Sequence, residues 1–245
     1  MDSVKVVMNW SSGKDAALAY HLLTQDYRYK VTHLLTTINA EHDRIFMHGI
    51  RENLLEMQAH RMSKPLLKVK LPASPDDSLY KQAMLDNLTS LKAEGITAAA
   101  YGDIFLEDLK LWREENLTQL DLHGVFPIWK VDSRELIHEF IASGFGSIIC
   151  CVNDANLDES ALGRNIDADF IHSLPADVDP CGENGEFHSF AFTGPIFKRP
   201  LHIRVGEKVY RPLEETHPGA TSAVLPLPGA RRTKGFWFCD LLPAP

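Results

Sequence analysis

The chain has 245 residues, 44% hydrophobic and 24% charged, so it can bury a sizeable core as one large domain or two modest ones. Its formal net charge of −8 argues against a nucleic-acid backbone as the main partner, because that affinity rests on lysine and arginine neutralising phosphates. No basic stretch leads into a long apolar run, no apolar run approaches the ~18 residues of a membrane span, and Cys150, Cys151, Cys181 and Cys239 form no C-x-x-C pair. The expectation is a cytoplasmic protein with buried free thiols, no nucleic-acid partner and no membrane partner.

Residues 4–8 read as a short buried strand, 15–23 as an apolar-periodic helix, and 29–38 as a β-branched, apolar strand. An amphipathic helix is expected over 46–62, ended by Pro65, and a strand over 66–71. Ser74-Pro75-Asp76-Asp77 reads as a helix start with Ser74 as N-cap, running to about residue 94 and stopping at Gly95. A strand at 97–101 ends in Gly102-Asp103, and 106–120 is a helix. This alternation predicts an α/β fold with a doubly wound parallel sheet. A strand order of 3-2-1-4 would put the turns after the first and fourth strands at one crevice, where such sheets bind ligands.

The pattern changes near residue 125, which divides the chain into 1–124 and a smaller mixed α/β domain, 125–245. Residues 126–130 read as a short strand, and Asp132-x-x-Glu135 as a capping box opening a helix to Ser143. Strands are expected at 146–152, 186–193, 201–210 and 236–242, a helix at 167–173, and loops at 175–185 and 212–233.

Two loops carry candidate chemistry. Ser11-Ser12-Gly13-Lys14-Asp15 follows the first strand. It is not a Walker A loop: Asp15 follows Gly13-Lys14 where a serine or threonine is needed, and Met8 stands where the first glycine would be. It matches the pyrophosphatase pattern S-G-G-x-D-S at Ser11, Gly13 and Asp15, departing at Ser12 and at Ala16, which removes a hydroxyl donor. Small residues at a helix N-terminus let backbone N–H groups approach phosphates, and Lys14 adds charge. From the residues alone, a polar strand-to-helix turn stays open. In "DVDPCGENGEFHSF", Glu183 and Glu186 could hold magnesium, bind ammonium or act as general base, or form a solvated acidic turn. His188, between aromatics, is packed or functional. His48 and Arg51, read as one turn apart at a helix start, form an anion site or a solvated face. Asp103 contacts ribose, phosphate or metal, or shapes a turn. The charge run from Glu107 to Glu115 reads mostly as a solvated helix face, and Trp112, Trp129 and Trp237 as core or interface. No H-E-x-x-H or His/Cys pattern supports a zinc enzyme.

The segments "WSSGKDAALAYH", "MHGIRENLLEMQA", "YGDIFLEDLKLWREE", "FPIW", "DPCGENGEFHSF" and the Gly194-Pro195 pair resemble, in order and spacing, the diphthine–ammonia ligase family of ATP pyrophosphatases. The resemblance covers most of the chain. It implies an adenine nucleotide alpha hydrolase-like, HUP-type fold. It also implies ATP and Mg²⁺ as cofactors and an amide-forming reaction, in which a carboxylate is adenylated with release of pyrophosphate and then amidated by ammonium with release of AMP. Under it, Ser11, Ser12, Gly13, Lys14, Asp15 and Ala16, with Gly102 and Asp103, hold ATP, and Thr36 and Thr37 border adenine. Lys14, Asp15, Glu183 and Glu186 are catalytic, Asp15 and Asp103 meet Mg²⁺, and His48, Arg51, Glu107, Asn184 and His188 face the acceptor. The wording SSGKD and GEFHSF resembles the family's bacterial branch. Bacteria have no diphthamide, so the acceptor is expected only as a small-molecule or protein-side-chain carboxylate; a homodimer is one assembly it allows. Three alternatives stand beside this: a non-catalytic AMP/ATP-binding protein, favoured by Ala16; a pyrophosphatase-loop enzyme with a different small-molecule acceptor; and tRNA thiolation, which the acidic charge disfavours.

Overall fold

Successive residues of the first strands belong to two different cores. Val6 and Met8 pack into one apolar cluster and Val7 into the other; Leu34 and Leu35, and Ala98 and Ala99, divide in the same way. A period of two with both faces apolar is what a strand covered on both sides requires. The computed structural model describes residues 3–46, 48–213 and 233–244. In it β1 (Val4–Asn9), α1 (Lys14–Gln25), β2 (Tyr29–Asn39), β3 (Arg44–Ile45), α2 (Glu52–Met62) and β4 (Leu66–Leu71) are followed by α3 (Asp77–Ala93), β5 (Ala98–Ala100), α4 (Glu107–Thr118) and β6 (His123–Val125). Five strands are parallel in the order β4-β2-β1-β5-β6, and β3 pairs antiparallel with the end of β2. Buried residues of α1 and α2 cover one face and those of α3 and α4 the other. The fold is therefore the doubly wound α/β arrangement expected, with the first strand beside the fourth parallel one in chain order, β5.

The second sheet is antiparallel, in the order β8-β7-β10-β9, from β7 (Gly146–Asn153), β8 (Phe187–Thr193), β9 (Ile203–Pro212) and β10 (Gly235–Pro243). α5 (Ser133–Ala142) and α6 (Ala168–Ser173) pack beside it. The cluster under α1 and α2 continues without a break into Phe140, Phe145, Ile149, Phe170 and Phe190, so the two sheets share one core. All four cysteines are free and buried, and burial pushes their thiols above the usual range. Among the described residues, no helix is long and apolar enough to cross a membrane.

Four local expectations are corrected. The helix expected over 46–62 begins only at Glu52: Gly49 takes a left-handed turn (φ +67°), and Ile45 returns to pair with Ile38. The N-cap expected at Ser74 is Asp76, whose carboxylate accepts from Leu79 N–H at 2.7 Å. A carboxylate is the stronger partner for the helix dipole. Residues 126–130 form a turn, because Pro127 lacks an N–H and Lys130 is left-handed (φ +59°); the strand is β6 instead. The strand expected at 201–210 runs two residues later. The capping box holds: Asp132 accepts from the N–H groups of Arg134 and Glu135. Most of the loop expected at 212–233, residues 214–232, lies outside the described residues.

Candidate active site

β1 delivers Trp10-Ser11-Ser12-Gly13 to the C-terminal edge of the parallel sheet, and Gly13 is the N-cap of α1. The turn is pinned from below by Trp10 N–H donating to Leu35 O (2.7 Å), and Thr36 Oγ1 donates to the Trp10 carbonyl. It is pinned from the side by Gln58 of α2, fully buried. The Gln58 amide donates to the carbonyls of Ser12 (3.1 Å) and Ala191 (2.7 Å), and its oxygen accepts from Trp10 Nε1 (2.8 Å). Ala191 N–H donates to the same Ser12 carbonyl, and Lys14 N–H donates to Ser189 Oγ (3.3 Å). The turn is thus built against β8 of the second sheet. Ser12 itself is left-handed (φ +70°), and its buried hydroxyl has no hydrogen-bond partner among the described residues.

Lys14 is 4% exposed at the first position of α1. Its ammonium meets the Asp15 carboxylate at 2.7 Å and donates to the Cys181 carbonyl. Burial is the largest influence and works against the charge, but Asp15, Cys181 and Glu183 together outweigh it and hold the Lys14 pKa above the usual value. A helix N-terminus and a desolvated cation at one point make a corner chemically suited to an anion.

The fourth-strand turn closes on the same corner. A Cβ at Gly102 would lie 2.8 Å from the backbone N of Ala16 and the carbonyl carbon of Asp15, so no other residue allows the two turns to lie this close. Asp103 pairs with Arg113 of α4 (2.7 Å), whose guanidinium also lies over the Tyr101 ring (4.2 Å). The next two N–H groups, of Ile104 and Phe105, both donate to Glu183 Oε1, at 2.8 and 3.3 Å. Burial, then the Asp15 charge, push the Glu183 carboxyl up to about 7. Lys14, Asp15, Gly102, Asp103 and Glu183 are therefore brought together from three chain segments.

The other candidates divide. Glu186 is 2% exposed, and its oxygens accept from Asp179 N–H, Asn184 N–H and the Asn184 side-chain amide, so it holds the loop that carries Glu183. His48 and His188 face each other with ring centroids 4.6 Å apart, and a Cβ on Gly13 would lie 3.0 Å from His48. Burial lowers both pKa values, that of His48 to about 4, so both rings are neutral at pH 7. His48 sits in the turn before α2 and Arg51 is the α2 N-cap. Arg51 is not directed at the turn: it makes two hydrogen bonds to Asp240 of β10, at 2.8 and 2.7 Å. Glu107 pairs with Lys130 at 2.6 Å, and both are exposed. Thr36 and Thr37 lie toward the C-terminal end of β2. Asp15 and Asp103 each face a cation, and among the described residues no three His, Cys, Asp or Glu gather as a metal cage. A magnesium ion meeting Asp15 and Asp103 beside a nucleotide would share their oxygens with Lys14 and Arg113. Gln58, Ser189 and Arg113 were not anticipated. For Gln58 a signal existed: a polar residue on the stripe of Leu54, Leu55, Ala59 and Met62.

Comparison with known families bears on this arrangement. The N-terminal domain of diphthamide synthase matches residues 4–122, and its C-terminal domain matches residues 132–215. The chain belongs to the diphthamide synthase family. It is 25% identical to the diphthine–ammonia ligase of Bos taurus over 188 residues, 69% of each chain. It is 24% identical to that of Homo sapiens over the same shares, and 30% identical to that of Rattus norvegicus over 122 residues, 47% of this chain and 44% of the relative. Both family domains are needed for the corner, since the turn at Ser12 and the loop at Glu183 lie one in each.

Proposed function

We propose that the protein is an ATP-dependent carboxylate–ammonia ligase of the diphthine–ammonia ligase type. It would adenylate a carboxylate with release of pyrophosphate and then form the amide with ammonium, releasing AMP. One observation carries the reading: a protonated, buried Lys14 at the N-terminus of α1, bordered by Glu183 and by the Gly102 turn. The relatives' names supply the ligase class.

The residues fit a polyphosphate. The α1 N-terminus, the Lys14 ammonium and the unpartnered Ser12 hydroxyl all offer donors or positive potential to phosphate oxygens. Lys14 would exchange the Cys181 carbonyl for a phosphate oxygen and neutralise the charge that builds as pyrophosphate leaves. Mg²⁺, when bound with the nucleotide, would screen the phosphates, and Asp15 and Asp103 are the carboxylates that would meet it. Glu183, titrating near neutrality, is suited to take a proton from ammonium or from the amine as the C–N bond forms. Glu186 and Asn184 keep Glu183 in place. His48, neutral and facing the neutral His188 ring, lines the side of Gly13 as an uncharged polar contact. Binding both reactants in one corner supplies most of the remaining acceleration.

The test is incubation with ATP, Mg²⁺, ammonium and a carboxylate panel that includes a diphthine-bearing peptide, following AMP and pyrophosphate. Stoichiometric AMP and pyrophosphate that require ammonium support the ligase. Nucleotide binding without turnover on any acceptor favours the non-catalytic nucleotide-binding protein. Lys14→Ala should weaken ATP at least tenfold, the loss of one charge-assisted contact; unchanged affinity would remove the corner from the reading.

A further inference from the structure

A second concave site lies at the other end of α2, about 16 Å along the helix from its N-cap. It is a cavity of about 470 Å³, within the roughly 300–1,000 Å³ range of small-ligand pockets. His60, Arg61 and Lys64 from the α2 terminus, and Lys198 and Arg199 from the segment after β8, line it. Among the described residues, no carboxylate and no Phe, Tyr or Trp does; the one aromatic ring is the His60 imidazole. Elsewhere several partly exposed cations are matched by acids: Arg44 and Arg51 by Asp240, Arg113 by Asp103, Lys68 by Glu52. The contrast is sharp in a chain with 25 lysines and arginines against 33 acids.

The dipole of α2 explains only part of this. Cations near a helix C-terminus are favourable, which accounts for His60 and Arg61. It does not account for Lys198 and Arg199, which come from the other sheet and are fixed against the same turn by Lys198 N–H donating to Arg61 O (3.0 Å). Nor does it account for Arg61 Nε, which is buried with no hydrogen-bond partner among the described residues. Lys64 is tied to the Val31 carbonyl (2.6 Å), and burial and then the charge of Lys30 pull its pKa down, as expected where positive charges crowd.

We propose that this pocket binds a compact anion carrying two or more phosphate groups, recognised through its phosphates alone. Four lysine and arginine side chains around one concavity match several phosphate oxygens. With no Phe, Tyr or Trp and only the small His60 imidazole to stack on, the pocket favours phosphates over a nucleoside, and the acidic remainder of the chain repels a long nucleic-acid backbone. The pocket sits at the N-terminal ends of β2 and β4, whereas the Lys14 corner sits at the C-terminal ends of β1 and β5. The two sites are therefore separate, and the inference does not depend on the ligase reading.

The test is calorimetric titration of the full chain with inorganic tripolyphosphate, pyrophosphate, ADP and a short single-stranded RNA. Tripolyphosphate should bind, weaken steeply with added salt, and lose at least tenfold in Arg61→Ala and in the Lys198→Ala/Arg199→Ala double variant. The double variant changes only exposed side chains, so it stays informative if Arg61→Ala disturbs the end of α2. These titrations are made in the Lys14→Ala background, because the Lys14 corner is itself suited to a polyphosphate. No measurable tripolyphosphate binding there, or affinity that survives both pocket variants, overturns the proposal. So does ADP binding tenfold tighter than pyrophosphate in the Lys14→Ala background, or RNA binding tighter than tripolyphosphate and lost in the pocket variants. Absence of ATP turnover with intact tripolyphosphate binding would count against the ligase alone.

Discussion

Glu183 accepts the backbone N–H of Ile104 at 2.8 Å, joining the second sheet's loop to the turn after β5. The bond holds a carboxyl whose pKa burial and Asp15 have raised from 4.5 to about 7.

Between those two values the unfolded chain has released the Glu183 proton and the folded chain still holds it. Folding therefore takes up a proton, and stability falls as pH rises from about 4.5 to 7, then levels. At about 1.4 kcal/mol per unit the full effect is on the order of 3 kcal/mol. Glu183→Gln keeps an acceptor for Ile104 and removes the titration. Its denaturation midpoint should fall less across that window and exceed the parent's at pH 8. Under the ligase reading, the rise in the parent's rate near pH 7 should flatten as well. Parallel stability curves for the two proteins would show that Glu183 does not titrate there.

Gln58→Leu removes the amide that serves Trp10, Ser12 and Ala191 while keeping the volume close. Ser12 O retains the Ala191 N–H, so Trp10 Nε1 and the Ala191 carbonyl are left buried and unpaired. At about 1–3 kcal/mol for each orphaned group, the cost should be about 3 kcal/mol. For a chain of this size that lowers Tm by roughly 6–12 °C. Nucleotide affinity should fall too, because Gln58 sets the Ser12 turn. A Tm within a degree or two of the parent would mean water replaces the amide.

Arg51→Ala separates a structural role from a binding one. Its guanidinium makes two hydrogen bonds to Asp240, which Arg44 also contacts at 3.0 Å, tying β10 to the entry of α2. Those hydrogen bonds hold the Asp240 carboxyl below its usual range, so the stability they contribute is present above about pH 4 and is lost as pH falls through the lowered pKa. Arg51 is 40% exposed, so solvent screening limits the effect to about 1 kcal/mol at pH 7. A double-mutant cycle with Asp240→Asn measures it, and Arg51→Lys should restore less than half, since an ammonium cannot make the paired contact. ATP affinity should not change. A tenfold loss would return Arg51 to the site.

The sequence shows the chemistry of the corner more readily than its support. Ser11–Asp15 and Gly102-Asp103 stood out as small, charged turns after buried strands, and Glu183 as a carboxylate in a glycine-containing loop; the structure brings the three segments together. The start of α2 was not, because its apolar spacing runs back through Ile50 to Phe46 and only the left-handed turn at Gly49 interrupts it. Glu183 and Glu186 look alike in GENGE, yet one meets the other domain's N–H groups and the other its own loop's. Arg51 reads as an anion ligand until the chain brings Asp240 back beside it, a contact 189 residues away that no local pattern encodes.

Ser12 supplies the sharpest separation of stability from binding. Its φ of +70° is the left-handed region, which costs a side chain with a Cβ about 1–2 kcal/mol and glycine almost nothing. Its buried hydroxyl has no partner among the described residues, a further penalty in the unliganded protein. Against this, glycine loosens the unfolded chain by about 0.4–1 kcal/mol. Ser12→Gly should therefore stabilise the protein by about 1 kcal/mol, raising Tm by roughly 2–4 °C. If the hydroxyl is kept for a phosphate oxygen, the same variant should bind ATP about tenfold more weakly despite its higher Tm. Thermal denaturation and calorimetry on one preparation test both halves. A variant that is more stable and binds ATP as tightly as the parent would make Ser12 a strained turn residue with no part in holding nucleotide.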